Sequence, residues 1–280
     1  PGHADYPAFV RYGNHHDVAG GGHFSGRLTA PLCIAGGIAL QALESSLGIK
    51  IVAHIAQLGP EKTTDDPSNP LVFLEDQRKS ILANSLPCVS KAAADAMYES
   101  IMIAKAEGDS IGGVIECAAY GMPVGVGDPM FDGIENRIAK AAFGIPAVKG
   151  VEFGAGFDAS TLRGSENNDP YRYEYESVVP QTNNAGGILG GITTGAPIIW
   201  RCAIKPTPSI GIEQDSVDLA TGANARLKVR GRHDPCIVPR AVPVVEAVCA
   251  LALLDALVEE GKFPMPAPER LSVDSTQDAI

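Results

Sequence analysis

The sequence predicts an α+β fold, helices mixed with mostly antiparallel strands in a single domain. Three observations carry that expectation. Apolar residues recur at three- and four-residue spacing in several long segments, shorter apolar runs lie between them, and no linker or internal repeat divides the chain. The 280 residues fit one large domain or two ordinary ones of roughly 150 residues. With 45% apolar residues, the chain is large enough to bury a core without disulfide or metal staples. The domain is expected to span residues 1–262. Residues 263–280, with Pro264, Pro266 and Pro268 followed by polar side chains, read as a mobile tail.

The elements follow in order. Residues 25–47 read as a helix, because Leu28, Leu32, Ala35, Ala39, Leu43 and Leu47 share a face, Ser25 suits the cap and Gly48 the stop. Gly36 and Gly37 cost helix stability in its middle, which points to a second backbone packed closely there. Residues 51–57 read as a strand and 62–69 as an exposed polar loop. A helix is expected over 90–107, capped by Ser90 and stopped by Gly108. A strand over 111–120 follows, then a helix over 129–143 and a mobile loop over 158–182. The run Pro197-Ile198-Ile199-Trp200-Arg201-Cys202-Ala203-Ile204 reads as a largely buried strand. The last helix is expected over 243–260, with Pro243 in its favourable first turn.

Charge and cysteine usage exclude several classes. There are 33 acidic and 22 basic residues, a formal charge of −11, which argues against nucleic acid or an anionic membrane surface as the main partner. Cys33, Cys88, Cys117, Cys202, Cys236 and Cys249 are scattered with no C-x-x-C pair, as expected of reduced thiols in a cytoplasmic protein. The best candidate membrane span, residues 242–258, is interrupted by Glu246 and Asp255, and no signal peptide is present, so no membrane span is expected. The 31 glycines and 21 prolines exceed an average combined share of about 12% by half, which marks a fold rich in shaped loops.

Five glycine- or proline-fixed blocks stand out. The first is Pro1-Gly2-His3-Ala4-Asp5. The second, Gly20-Gly21-Gly22-His23-Phe24-Ser25-Gly26-Arg27, opens a helix, so its N–H groups with Ser25 and Arg27 suit an anion; a flexible turn with a helix cap is the competing reading. The third, Asn183-Asn184-Ala185-Gly186-Gly187-Ile188-Leu189-Gly190-Gly191, admits a flat ligand or another chain, and tight strand packing explains it equally well. It lacks the spacing of a dinucleotide fingerprint. The fourth, Lys205-Pro206-Thr207-Pro208-Ser209, sets one ammonium and two hydroxyls on a stiff chain that suits a phosphate; an ordinary strand exit competes. The fifth, Gly231-Arg232-His233-Asp234-Pro235-Cys236 with Arg240 and Glu246, combines anion binding with proton transfer; the alternative is a salt-bridged surface turn. His15, His16 and His23 lack the spacing of a metal site, and no metal is expected. Together the blocks suit a phosphorylated ligand and a planar cofactor.

In family order and over nearly the whole chain, these blocks resemble the chorismate synthase family. Gly22-His23-Phe24-Ser25-Gly26-Arg27-Leu28-Thr29 is similar to one family signature, and Arg232-His233-Asp234-Pro235-Cys236 through Glu246-Ala247-Val248 to another. Gly108-Asp109-Ser110-Ile111-Gly112 and Ala147-Val148-Lys149-Gly150-Val151-Glu152 add further family-like segments. The resemblance implies a β-α-β sandwich, assembled as a homotetramer. It implies a lyase of the shikimate pathway that converts 5-enolpyruvylshikimate 3-phosphate to chorismate by anti-1,4-elimination of phosphate and a ring proton, with reduced FMN (FMNH2) required. By the same resemblance His23, Phe24, Ser25, Ala147, Gly190, Lys205, Pro206, Thr207, Pro208, Ser209 and Arg232 contact the flavin. Asp234 relays the ring proton, His3 governs flavin protonation, and Arg27 and Arg232 clamp the substrate's anionic groups.

There are departures from the family pattern. His23 and Phe24 stand where many relatives have Arg-Ser, and Pro146 where Asn is usual. Family members also carry a segment before the Pro1 block with a histidine and an arginine-rich stretch, so the chain is expected to be the C-terminal three quarters of the enzyme. A second reading is therefore a catalytically incomplete FMN-binding oligomerisation scaffold. A third, a phosphosugar-binding enzyme without flavin, leaves the Ala185 to Gly191 block unexplained. For the source of reduced flavin, an external flavin reductase or NADPH, the absence of a reductase-like second domain favours the former.

Overall fold

The computed structural model describes residues 2–17, 19–63, 75–229, 231 and 233–264. A short helix, α1 (Asp5–Tyr12), leads through 3-10 turns at Gly13–His15, Ala19–Phe24 and Gly26–Thr29 into α2 (Ala30–Leu47). Then come β1 (Lys50–Leu58), β2 (Glu61–Lys62), α3 (Glu75–Ala83), α4 (Lys91–Glu107), β3 (Gly113–Tyr120), α5 (Ile134–Phe143) and β4 (Val148–Phe153). After a 3-10 turn at Gly156–Thr161 follow α6 (Gly164–Asn167), β5 (Tyr171–Glu174), β6 (Ser177–Pro180), β7 (Ile188–Leu189), β8 (Ile192–Thr193) and β9 (Ile198–Ile204). The described chain closes with β10 (Gln214–Asp218), β11 (Ala223–Leu227) and α7 (Val238–Glu259).

The central sheet has the order β2-β1-β3-β9-β4, and every pairing is antiparallel. Three hairpins, β5–β6, β7–β8 and β10–β11, stand apart from it. The α+β expectation with antiparallel strands therefore holds. One face of the sheet, carrying Ile51, Ala53, Ile55, Ile115, Cys117, Trp200, Cys202 and Ile204, joins Val245, Cys249, Leu253 and Leu257 of α7 in one core. Burying Trp200 and several branched aliphatics is what stabilises this layer, at about 1.5–3 kcal/mol for each fully buried large side chain.

Helices α2 and α7 cross where the sequence asks for it. A Cβ on Gly36 would stand 2.3 Å from the Cβ of Ala247, so only glycine fits; Gly37 has open space and makes no such approach. Gly48, in the left-handed conformation, closes α2 beside the Lys50 end of β1, while the start of α7 lies beside β3's entry, because the Ile111 N–H donates to the Pro235 carbonyl at 2.9 Å. Both helices therefore begin at the sheet end marked by Leu58, Gly113, Ile204 and Val148, here called the loop end. They finish at the opposite, hairpin end.

Several boundaries differ from the sequence expectation. Pro31 in the first turn starts α2 at Ala30, and Ser25 instead caps the preceding 3-10 turn, its Oγ accepting the Arg27 N–H at 3.3 Å. The final helix begins at Val238, with Pro239 in the first turn; Pro243 lies inside the helix, where it forgoes one backbone hydrogen bond. Residues 129–133 are turns, so α5 starts at Ile134. Far from being a featureless loop, 158–182 holds α6 and the β5–β6 hairpin. The Asp169 carboxylate fastens it by accepting N–H groups of Asn184 and Ala185 and the Thr182 hydroxyl. Of the expected polar loop 62–69, Lys62 belongs to β2, and residues 64–69 lie outside the described residues, as do 265–280 of the expected tail. Phe263 packs against the core. Two helical stretches, Gly26–Leu47 and Val238–Glu259, are long and apolar enough to cross a membrane by length and composition, but 67% of the apolar window of α7 is buried within the protein, as in a core helix. In α7 the two interrupting acids have protein partners: Glu246 accepts the Ala53 N–H, and Asp255 pairs with Arg137.

Candidate active site

At the loop end lie the described residues of the first, second, fourth and fifth glycine- and proline-fixed blocks, with the starts of α2 and α7. Before α2, His3 Nε2 lies 3.2 Å from the Phe24 carbonyl, and its ring meets the Phe24 ring edge-on with centroids 6.5 Å apart. Ser25 Oγ accepts from both Arg27 N–H (3.3 Å) and Arg27 Nε (3.1 Å), which orients that guanidinium. Gly22, with φ of 47°, is required here because a Cβ would stand 2.5 Å from the Asp17 carbonyl.

Beyond β9, the Lys205 N–H donates to the Ala147 carbonyl at 3.0 Å, joining the exit of β9 to the entry of β4. Ala147 adopts φ of 77°, an uncommon conformation for a residue with a side chain. The Thr207 carbonyl accepts the Ser110 hydroxyl at 2.7 Å. Thr207 Oγ1 is buried with no hydrogen-bond partner among the described residues, a feature that native structures rarely leave without a use. Before α7, Asp234 Oδ2 lies 2.7 Å from Arg240 Nη1, an ion pair without the alignment of a hydrogen bond, and Oδ1 accepts the Cys236 N–H at 3.4 Å. His233 Nε2 faces the Val229 carbonyl at 3.0 Å. Burial pushes the Cys236 thiol up to about 11, so it is no nucleophile at neutral pH. Burial likewise raises the Glu246 carboxyl above its ordinary range, against the opposing hydrogen bond from Ala53.

The structure thus gathers His3, Phe24, Ser25, Arg27, Ala147, Lys205, Pro206, Thr207, Pro208, Ser209 and Asp234 at one end of the sheet. His23 is exposed beside them. Gly190 is not brought there. It turns the β7–β8 hairpin beside the start of α5, where the Gly191 carbonyl accepts the Ile134 N–H. That is the hairpin end, near which the Gly127 N–H reaches Glu260 at the close of α7; the helix alone spans about 33 Å at 1.5 Å per residue. Arg232 lies outside the described residues. Among the described residues no group of three His, Cys, Asp or Glu side chains could hold a metal.

One cluster escaped the sequence reading. His54, Glu116, Arg201 and Glu152 occupy one row across β1, β3, β9 and β4, each opposite the next in register. His54 Nε2 and Glu116 Oε1 are 3.1 Å apart, Arg201 Nε is 3.2 Å from Glu152 Oε1 and 3.9 Å from Glu116 Oε2, and Arg201 Nη2 donates to the Gly154 carbonyl at 2.6 Å. His54, Glu116 and Arg201 are all buried. The available signal was an ionisable residue in the middle of the apolar runs of β3 and β9, with His54 and Glu152 beside them in less uniform strands.

Fold and site define an α+β protein with a Lys-Pro-Thr-Pro-Ser segment at the exit of β9 and a paired aspartate before the long helix α7. The sequence model of the family described as chorismate synthase matches residues 1–258. The chain belongs to the chorismate synthase family, lyases of the shikimate pathway. It is 49% identical over 264 residues to a chorismate synthase of Dehalococcoides mccartyi, covering 94% of this chain and 71% of that protein. It is 50% identical to one of Lancefieldella parvula and 49% to one of Pyrococcus abyssi, each covering 92% of this chain and 70% of the relative. A crystal structure of chorismate synthase superposes with a TM-score of 0.76 at 29% identity, over 92% of this chain and 70% of that one.

Proposed function

We propose that this protein eliminates phosphate and a ring proton from 5-enolpyruvylshikimate 3-phosphate to give chorismate, with reduced FMN as cofactor. The observation that carries the reading is the unpartnered, buried Thr207 Oγ1 within a stiff Lys-Pro-Thr-Pro-Ser segment. A phosphorylated ligand supplies the acceptor oxygens that this hydroxyl and the Lys205 ammonium lack. The positive ends of the α2 and α7 dipoles face the same end of the sheet, which favours an anion there. The residues present therefore fit FMN, its phosphate held by Lys205, Thr207 and Ser209. When bound, the reduced flavin supplies transient electron density to the substrate and recovers it, so no net oxidation occurs.

The chain's own residues do the rest. Arg27, fixed by Ser25, and Arg232 bind the substrate's anionic groups. Asp234, oriented by Arg240 and the Cys236 N–H, accepts the proton leaving the ring at its carboxylate. His3, braced against Phe24, handles the proton at the flavin edge. Replacement of the usual Asn by Pro146 leaves the backbone link intact, since the Ala147 carbonyl still receives the Lys205 N–H. A homotetramer supplied with reduced flavin by an external reductase completes the proposal.

A second reading, an FMN-binding scaffold without turnover, is favoured by the 70–71% of the relatives' length that the chain covers. An anaerobic assay with reduced FMN, following chorismate absorbance and phosphate together, separates the two. Stoichiometric release of both is expected. Tight binding of flavin and substrate without product would establish the scaffold instead.

A further inference from the structure

We propose that residues 108–112 form a clasp that sets the shape of the cradle, with Ser110 as its positioning residue. The inference rests on the reading of residues 205–209 as the holder of the FMN phosphate. The loop joins α4 to β3, and each of its five residues has a defined partner. The Gly108 carbonyl accepts the Gly211 N–H at 2.8 Å, and Asp109 Oδ1 accepts the Ser110 N–H at 2.8 Å, which fixes the turn. Ser110 Oγ donates to the Thr207 carbonyl at 2.7 Å across 97 residues of sequence. The Ile111 N–H donates to the Pro235 carbonyl, the residue after Asp234, and the Gly112 carbonyl accepts the Gly59 N–H, both at 2.9 Å. A Cβ on Gly112 would stand 2.3 Å from the Ile204 carbonyl and 3.0 Å from Pro206, so the loop lies against the cradle with no room to spare.

The chemistry of the cradle makes this contact consequential. Pro206 and Pro208 have no N–H, so the segment is short of donors and cannot brace itself through its own backbone. The Thr207 carbonyl is anchored from outside by the Ser110 hydroxyl, and Thr207 Oγ1 is left free of protein partners. Through Ile111 the same loop holds the Asp234 turn. One five-residue loop therefore fixes the spacing between the phosphate-holding segment and the proton acceptor. If Ser110 lacked its hydroxyl, the Thr207 carbonyl would lose its donor and the segment would be held only at its ends, by Lys205 to Ala147 and Gly211 to Gly108, letting Oγ1 shift from its place.

The test compares Ser110→Thr with Ser110→Val, two side chains of nearly equal shape that differ in the donor, with Ser110→Ala as a second donor-free variant. Two quantities are measured on each: amide hydrogen exchange over 205–211 without ligand, and the dissociation constant for FMN by flavin fluorescence. Val and Ala are expected to speed exchange and weaken FMN by about tenfold each, the worth of one hydrogen bond, while Thr stays within about threefold of the parent. Unchanged exchange in both donor-free variants would overturn the clasp. Faster exchange with unchanged FMN affinity would overturn its role in placing the ligand while leaving the flavin reading in force. Failure of the parent protein to bind FMN, with exchange still responding to Val, would overturn the flavin reading and leave Ser110 only a brace for the loop.

Discussion

The loop end and the hairpin end of the sheet share strands, a high glycine content and close backbone approaches, yet they treat polar side chains differently. At the hairpin end, a Cβ on Gly186 would meet Gly154 N at 2.4 Å, one on Gly187 the Pro197 carbonyl at 2.4 Å, and one on Gly191 the Asp128 carbonyl at 2.3 Å. Glycine there lets backbone lie on backbone. Tight packing, the competing reading of that block, accounts for three of its four glycines; Gly190 alone has open space. At the loop end Gly22 and Gly112 do the same against the Asp17 and Ile204 carbonyls, but the proline-flanked Thr207 there keeps a hydroxyl without a partner among the described residues. Glycine-rich sequence alone does not separate the two ends, whereas the hydrogen-bond inventory does.

The largest expected effect falls at the loop end. Asp234→Ala should lower turnover by about a hundredfold or more with FMN binding retained, measured anaerobically with both product and phosphate followed. Equal turnover would remove Asp234 from the mechanism. At the opposite end, Gly191→Ala should cost about 3 kcal/mol or more, since φ is 85° and the added methyl meets backbone. Thermal unfolding reads this out, and FMN affinity of the folded variant should not move.

Two threonines sharpen the contrast further. Thr193 Oγ1 donates to the Pro123 carbonyl at 2.6 Å and accepts the Val126 N–H at 2.9 Å, so Thr193→Val should destabilise by about 1–3 kcal/mol. Thr207→Val should leave stability unchanged while weakening FMN by about five- to tenfold. Equal destabilisation by the two would erase the distinction between the ends. The smallest effect lies between them, at Glu246. Its carboxyl is raised in the folded state, so its stabilising contribution is complete below the ordinary carboxylate range and is lost as pH rises through the raised value. Glu246→Gln keeps an acceptor for the Ala53 N–H and should flatten that part of the stability–pH curve; an identical slope in parent and variant would exclude Glu246 as its source.

What could be read from sequence was what is local. Helix α4 was legible to within one residue because Ser90 and Gly108 mark its ends by hydrogen bonding and left-handed geometry, both observed. The close approach at Gly36 was legible because a mid-helix glycine is unfavourable without a reason. The start of α7 was misplaced because Pro239 and Pro243 satisfy the same rule and only packing chooses between them. The β10–β11 hairpin went unread because Gln214–Asp218 is polar and largely exposed, with no apolar face to announce a strand. In the site, the contiguous Lys-Pro-Thr-Pro-Ser chemistry was visible, while the meeting of Ser110 with Thr207 depends on how β3 and β9 pair. The His54–Glu116–Arg201–Glu152 row was hidden for the same reason.

That row also bears on how the sheet assembles. Sliding β3 by two residues along β1 would keep apolar side chains on the core face, so hydrophobicity alone tolerates the error. It would, however, set His54 opposite Val114 or Ala118 instead of Glu116, parting the buried imidazole from the carboxylate that Arg201 still faces. A buried polar group left unpaired costs about 1–3 kcal/mol, a sizeable share of the stability of a typical domain. The four residues together thus mark the one register in which each polar side chain meets its partner.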